Sequence, residues 1–419
     1  MKKYSHWNKQ SLGTTIFTLL VLLCLSSCDK NNPELQIIEI PVDSSHSGEP
    51  NLFTSDNGEV FLSWIEYLDD TTDVLKFSRL VDDRWSEPNI ISSGSDWFVN
   101  WADFPSLAVD KNGKYMAAHW LQKSAEGTYD YDVMLSTSSD GGTSWSEAFI
   151  LHNDGVNAEH GFVSLLNIST DTFFAVWLDG RNTKSEGIID HGHGHHGSMS
   201  LRAAWFNSSG TVFNESELDN RVCDCCQTSA TVTDNSINIV YRDRSDEEVR
   251  DISVINYDIS ENKWSESKIL HGDNWKISGC PVNGPSIDSY NSTLAVSWYS
   301  IIDGEPIVRL GVSTDEGESF NDFYRLNNGN ALGRTSSLIK NEDIVYVSWI
   351  DQLDSTAQII LSKINIEEKN KKNFELIEIS DSRSSGFPRL SAYGDNILIC
   401  WTDGLENTMI KTALIKLNP

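Results

Sequence analysis

Ser138-Ser139-Asp140-Gly141-Gly142-Thr143-Ser144-Trp145 and Ser313-Thr314-Asp315-Glu316-Gly317-Glu318-Ser319-Phe320 share one pattern, S-x-D-x-G-x-x-[WF]. In such a turn the aspartate accepts hydrogen bonds from N–H groups of its own loop. Glycine takes the strained dihedral, and the closing aromatic packs under the hairpin. Each turn sits between two short apolar runs, so each reads as the tip of a β-hairpin. The two turns also fall at the same place in a longer repeat.

That repeat dominates the chain from residue 47 onward. An apolar strand ending in a large aromatic recurs at Trp64, Trp120, Trp177, Tyr241, Trp298, Trp349 and Trp401, at intervals of 56, 57, 64, 57, 51 and 52 residues. Before each lies a strand closed by a polar, Gly- or Asn-bearing turn. After each come a third strand, a turn with an aromatic (Trp85, Trp145, Phe213, Trp264, Phe320, Phe374) and a fourth strand. Four short strands at this spacing predict a β-propeller, because one four-stranded sheet cannot cover its own faces and must pack against the next around an axis. The seventh repeat stops after three strands. Residues 35–41, LQIIEIP, echo 374–380, FELIEIS, so the missing strand is expected from the N-terminal end, where it removes two open sheet edges. The expected fold is all-β with seven blades; six is the alternative if one repeat is a degenerate insertion.

The two marked turns resemble the Asp box of the sialidase-like (neuraminidase, BNR-repeat) propellers. The resemblance covers roughly residues 33–419 as blade pattern and the two boxes as motif. It implies a top-face pocket in which three arginines grip a substrate carboxylate, beside a tyrosine–glutamate nucleophile pair and an aspartate acid. The chain departs from that pattern in its first blade, where Ser47-Gly48-Glu49-Pro50 stands in place of an arginine motif. No tyrosine–glutamate pair can be assigned from spacing, and seven blades replace the usual six. The block from Cys223, with Gly279-Cys280-Pro281-Val282-Asn283-Gly284-Pro285, resembles an uncharacterised bacterial branch of these proteins, which supplies no activity.

The N-terminus reads as an address. Lys2, Lys3 and Lys9 precede an apolar run at 16–25, followed by Leu25-Ser26-Ser27-Cys28. A basic start with an apolar segment too short to span stably is a secretory signal. The Leu-Ser-Ser-Cys ending resembles a lipobox, implying cleavage before Cys28 and acylation of its thiol. The expected organisation is a signal at 1–27, a tether at 28–34 and a propeller at 35–419, on a monomer lipid-anchored in the cell envelope. The whole chain carries 32 Lys+Arg against 61 Asp+Glu; without residues 1–27, which hold three lysines and no acid, 29 face 61, a net −32. Such a charge repels nucleic acid and anionic membrane surfaces, leaving the lipid as the only membrane contact.

Antiparallel strands place the starts of first strands, the ends of second strands and the starts of third strands on one rim, opposite the Asp boxes. That rim collects Glu49, Asp103, His160, Cys223, Cys225, Cys226, Cys280, Asn283, Arg334 and Arg389 from first strands. It also collects Glu66, Asp179, Arg181, Arg242, Asp243, Arg244, Asp351 and Asp403 from second strands, with Arg250 and Asp251 from a third. Trp97, Trp101, Trp275 and Tyr299 lie in the same loops.

Three chemistries follow. Arg181, Arg242 and Arg334 are placed to hold an anionic sugar bidentately, with Trp101 and Tyr299 stacking on its ring; alternatively they pair with Asp179, Asp243 and Asp351. Asp103 serves as a general acid if an apolar site raises its pKa, or else caps its turn, and Asp243 is a second catalytic candidate. Cys24 leaves with the signal, Cys28 carries lipid and Cys400 is a buried thiol. Cys223, Cys225, Cys226 and Cys280 remain, as disulfides, as a redox centre, or as a copper or zinc site completed by His160 or the histidines of Asp190-His191-Gly192-His193-Gly194-His195-His196. That histidine run is itself either a metal binder or a surface tract. Three functions stay open: a glycan-binding and glycan-hydrolysing envelope protein, a metal-site protein, and an interaction scaffold.

Overall fold

The computed structural model describes residues 33–41, 46–184, 197–405 and 407–417; Cys28 and the histidine run lie outside them. Seven antiparallel sheets of four or five strands follow one another along the chain. Their first strands are Ser47–Thr54, Ser106–Val109, His160–Ser169, Ser229–Val232, Ser286–Tyr290, Ala331–Asn341 and Arg389–Tyr393. All seven line one axial cavity of about 560 Å³. The fold is a seven-bladed β-propeller, and the six-bladed alternative falls away.

The sequence pattern explains the stacking. A strand covered on both faces reads as a continuous apolar run rather than an alternating one. Second strands meet that condition; every residue of Ser236–Arg242 is buried. The recurring aromatics end these strands and wedge between neighbouring blades, and all seven are buried, Trp64, Trp177, Tyr241 and Trp298 completely. Each such ring stabilises the stack by roughly 1.5–3 kcal/mol relative to exposure. Two of the polar ends find a carboxylate two residues on: Trp177 Nε1 donates to Asp179 at 2.8 Å and Trp349 Nε1 to Asp351 at 2.6 Å, whereas Trp64 and Trp120 Nε1 have no partner among the described residues.

The ring closes as the sequence suggests. Glu34–Ile37 pairs antiparallel with Met409–Lys416, with Leu35 opposite Ile415 and Ile37 opposite Ala413. Thr412 then ties the closing strand to the first blade: its hydroxyl donates to Ile38 O at 2.6 Å and accepts from Trp85 Nε1 at 2.8 Å.

Both Asp boxes have the expected turn. Asp140 accepts from Ser144 N (2.9 Å) and Ser144 Oγ (2.6 Å), while Ser138 Oγ donates to Asp140 (2.8 Å) and accepts from Gly142 N (2.9 Å). Asp315 repeats the arrangement with Ser319 and Ser313. Gly142 sits at φ 82° and Gly317 at φ 88°, where a side chain is strained. Trp145 packs edge-on against Phe77 of the preceding blade, centroids 6.0 Å apart. One detail differs from expectation: Phe213 and Phe374 lie inside fourth strands, Val212–Asp219 and Asn370–Ile379, because those blades pair their outer edge sooner.

Candidate functional site

Asp103, which lines the axial cavity, joins Tyr131 and Glu159 of blades 2 and 3 in a proton-handling group. Asp103 is 4% exposed; its Oδ1 accepts from Phe162 N at 2.7 Å and its Oδ2 lies 3.5 Å from Tyr131 Oη. Tyr131 Oη also donates to Glu159 Oε1 at 3.0 Å. Backbone closeness is needed here: a Cβ on Gly161 would stand 2.1 Å from Asp103 Oδ2. Burial pushes Asp103 up to about 7, against the hydrogen bonds that lower it. Burial likewise raises Glu159 to about 8, helped by the charges of Asp103, Asp224 and Cys280. Both carboxyls therefore change protonation near neutral pH, as acid–base residues must. A second pair, Tyr67 donating to Glu49, stands in blade 1; burial raises Glu49 to about 7, against the Tyr67 hydrogen bond and with a smaller push from the charge of Asp73.

The four top-face cysteines meet next to Glu159, all as free thiols. Cys223, Cys225 and Cys226 have sulfurs mutually within 4.8 Å, and Cys223 Sγ is 3.5 Å from Cys226 Sγ. Cys225 hydrogen-bonds with Cys223, Cys226 and Cys280. Arg250 Nη1 donates to Cys223 Sγ at 3.2 Å, and Asn283 N donates to Cys226 Sγ at 3.4 Å. Burial opposes ionisation of Cys223. Hydrogen bonds with Cys225 and Cys226 and the charges of Arg250 and Arg242 outweigh it, holding this thiol well below its usual range. Behind the sulfurs, Arg244 bridges Asp224 and Glu248, and Glu248 accepts from Arg250 at 2.8 Å.

The arginines do not converge. Arg242 is 1% exposed and spends its guanidinium on three carbonyls, Asn283 O (3.0 and 2.8 Å), Arg250 O (2.6 Å) and Tyr299 O (2.6 Å), with Trp275 under it. Arg334 is buried, donates to Ser382 O and Gly386 O at 3.2 Å, and covers the Trp101 ring at 4.7 Å. Arg181 joins Asp154, Asp179 and Glu215 in blade 3. A gripping triad is thus replaced by three separate, satisfied cations. The expected pairings with Asp243 and Asp351 also give way to backbone carbonyls.

Other expected partners separate as well. Asp243 accepts from Ser253 Oγ and Arg244 N within blade 4, so it shares no partner with Asp103 and the two form no catalytic pair. Tyr299 is buried edge-on against Trp275, with no face left for a sugar. Trp101 stays half-buried, stacked on Phe387 at 5.9 Å. His160 is fully buried away from the thiols: Nδ1 donates to Tyr131 O and Ala158 O, and Nε2 faces Asp154 (3.0 Å) and Asp179 (3.7 Å). Its ring stacks on His152 at 3.6 Å, and Asp132 completes the group. A proton or a cation between these imidazoles and carboxylates would satisfy them.

Tyr131 and Glu159 were not singled out from sequence, although a signal existed. Tyr131 begins a third strand and Glu159 precedes a first strand, both rim positions. Their partnership spans two blades, which spacing alone does not reveal.

The sequence matches no family model and no curated protein. Solved structures are similar in fold. A protein of unknown function from Dyadobacter fermentans DSM 18053 is 12% identical, with TM-score 0.54, over 92% of this chain and 98% of that one. A PL25 ulvan lyase bound to -[GlcA(1-4)Rha3S]- is 10% identical, TM-score 0.54, over 92% and 94%. The polysaccharide lyase Uly1 is 8% identical, TM-score 0.52, over 88% and 90%. Phage phi92 endosialidase is among the weaker likenesses, at TM-score 0.49. These likenesses show the β-propeller fold, and polysaccharide lyases are among the proteins that share it.

Proposed function

We propose that this chain is a glycan-acting propeller, lipid-anchored in the cell envelope through Cys28, which takes a sugar at the top face and cleaves its glycosidic bond. The observation that carries the reading is the Asp103–Tyr131–Glu159 group, whose Asp103 lines the axial cavity. Glu159, the half-buried member, is the acid that protonates the departing glycosidic oxygen, while a solvent water attacks the anomeric carbon and releases its proton to bulk water. Burial, helped by the charge of Asp103, keeps Glu159 protonated near neutral pH against the Tyr131 hydrogen bond, which favours the carboxylate. The residue types are those of the sialidase resemblance, but the roles differ, since there the tyrosine–glutamate pair is the nucleophile and the aspartate the acid. Because the three arginines are engaged elsewhere and the Trp101 ring is already covered by Arg334 and Phe387, the sugar is held through hydroxyl hydrogen bonds.

The test is turnover and binding of the full chain on sialylated, uronic and neutral glycosides. Cleavage that falls at least a hundredfold in Glu159→Gln, and in Tyr131→Phe and Asp103→Asn, supports the reading. Binding without cleavage reduces it to a glycan-binding propeller. Neither binding nor cleavage across the panel overturns it in favour of a protein-interaction scaffold. Radiolabelled fatty acid incorporated into the wild type and lost in Cys28→Ser checks the anchor.

A further inference from the structure

The thiol cluster is not used by the acid–base group, and it is built from two blades. Cys223, Cys225 and Cys226 lie in the loop entering blade 4, and Cys280 in the loop entering blade 5. The two loops are locked together beneath the sulfurs. Gly284 N donates to Gln227 Oε1 at 2.9 Å, and a Cβ on Gly284 would stand 2.2 Å from Gln227 O, so only glycine allows the approach. Arg242 clamps the carbonyl of Asn283 while its own carbonyl accepts from Cys223 N at 3.0 Å. The sulfurs are therefore positioned by backbone rather than by floppy side chains.

Their spacing suits a metal. Four thiolates around a tetrahedral ion with metal–sulfur bonds of about 2.3 Å stand roughly 3.8 Å apart; here three sulfurs lie mutually within 4.8 Å, Cys223 and Cys226 at 3.5 Å, and Cys225 reaches the fourth. The outer donors also suit thiolates: a buried guanidinium on Cys223 and a backbone N–H on Cys226. Such second contacts orient ligands and neutralise charge. Four thiolates around a divalent ion leave two negative charges, and Arg250 and Arg242 both act on this cluster. Cys280 is exposed, which gives an entry path from solvent.

We propose that Cys223, Cys225, Cys226 and Cys280 hold one thiophilic d10 cation, zinc(II) or copper(I), across the seam between blades 4 and 5. Binding displaces the thiol protons to solvent and needs no oxidant. His160 takes no part, since its ring is committed to the Asp154–Asp179 group. The inference stands whether or not the glycan reading holds.

The test uses the full chain, purified without a histidine tag, reduced, and loaded anaerobically with zinc(II) or copper(I) in separate arms. Mass-spectrometric metal analysis is expected to give one equivalent in one arm or both, with cobalt(II) substitution showing sulfur-to-metal charge transfer. Cys225→Ser and Cys226→Ser lose at least nine-tenths of the bound metal, whereas Cys400→Ser and serine substitution of His191, His193, His195 and His196 retain it. Melting curves of the apo variants keep loss of metal distinct from loss of fold. Two results overturn the proposal: a reduced protein that takes up neither ion, or metal that persists in the cysteine variants and disappears with the histidines.

Discussion

Arg242→Ala separates a structural arginine from a ligand-gripping one. The guanidinium makes four contacts to the carbonyls of Asn283, Arg250 and Tyr299, at 2.6 to 3.0 Å. Truncation strands three buried acceptors, each costing about 1–3 kcal/mol without a partner. Water entering the vacated space recovers part of this, leaving a net loss of about 3–5 kcal/mol, a large part of the roughly 5–15 kcal/mol that stabilises an ordinary domain. At an unfolding entropy of about 2.1 cal/mol/K per residue, a body of this size should melt about 4–6 °C lower. Arg84→Ala, at an exposed position, should stay within about 0.5 kcal/mol. Thermal and urea melts read both variants. An Arg242→Ala protein that melts with the wild type but no longer binds glycan would refute the reasoning, because its guanidinium would then have been free for ligand.

Three further outcomes are expected. Asp103 has its folded pKa raised from 3.8 to about 7, so the native state keeps a proton that the unfolded chain loses. Its contribution therefore falls as pH rises from about 4 to 7, by up to ~4 kcal/mol; Asp103→Asn should gain on the wild type between pH 5 and 8.5 in urea midpoints, and a pH-independent difference argues against a buried acid. Asp140 is lowered from 3.8 to about 2, chiefly by Ser144, so its contribution is present above pH 4 and lost as pH falls through 2; the melting gap between wild type and Asp140→Ala should close over that acid window. Gly284→Ala should cost about 1–3 kcal/mol by pushing the Cys280 loop off Gln227, and should speed thiol labelling of the cluster; unchanged labelling would show that the two loops are not coupled.

How much was legible depends on the reach of each interaction. Blade number, the closing strand and the Asp boxes are written in local, repeating patterns: a second strand buried on both faces has to be apolar, and a turn needing positive φ has to carry glycine. The rim rule was equally local, and it placed the cysteines and Asp103 on the same face. Partner choice was not. Arg242 looked like a ligand-binding residue beside Asp243, yet strand alternation turns it toward the carbonyls of blade 5, while Asp243 stays within blade 4. His160 looked like a companion of the thiols, yet its ring stacks on His152, a residue with no pattern to mark it.

What the sequence alone determined was the ring, because each blade repeats the same short-range instruction and seven copies leave only closure. What the tertiary structure decided was which rim groups touch. Tyr131 meets Glu159 and Asp103, and Cys280 meets Cys225, across seams between blades. Those contacts depend on the angle and offset at which one sheet packs on the next. That packing is set by the whole set of buried side chains and is carried by no short stretch of the chain.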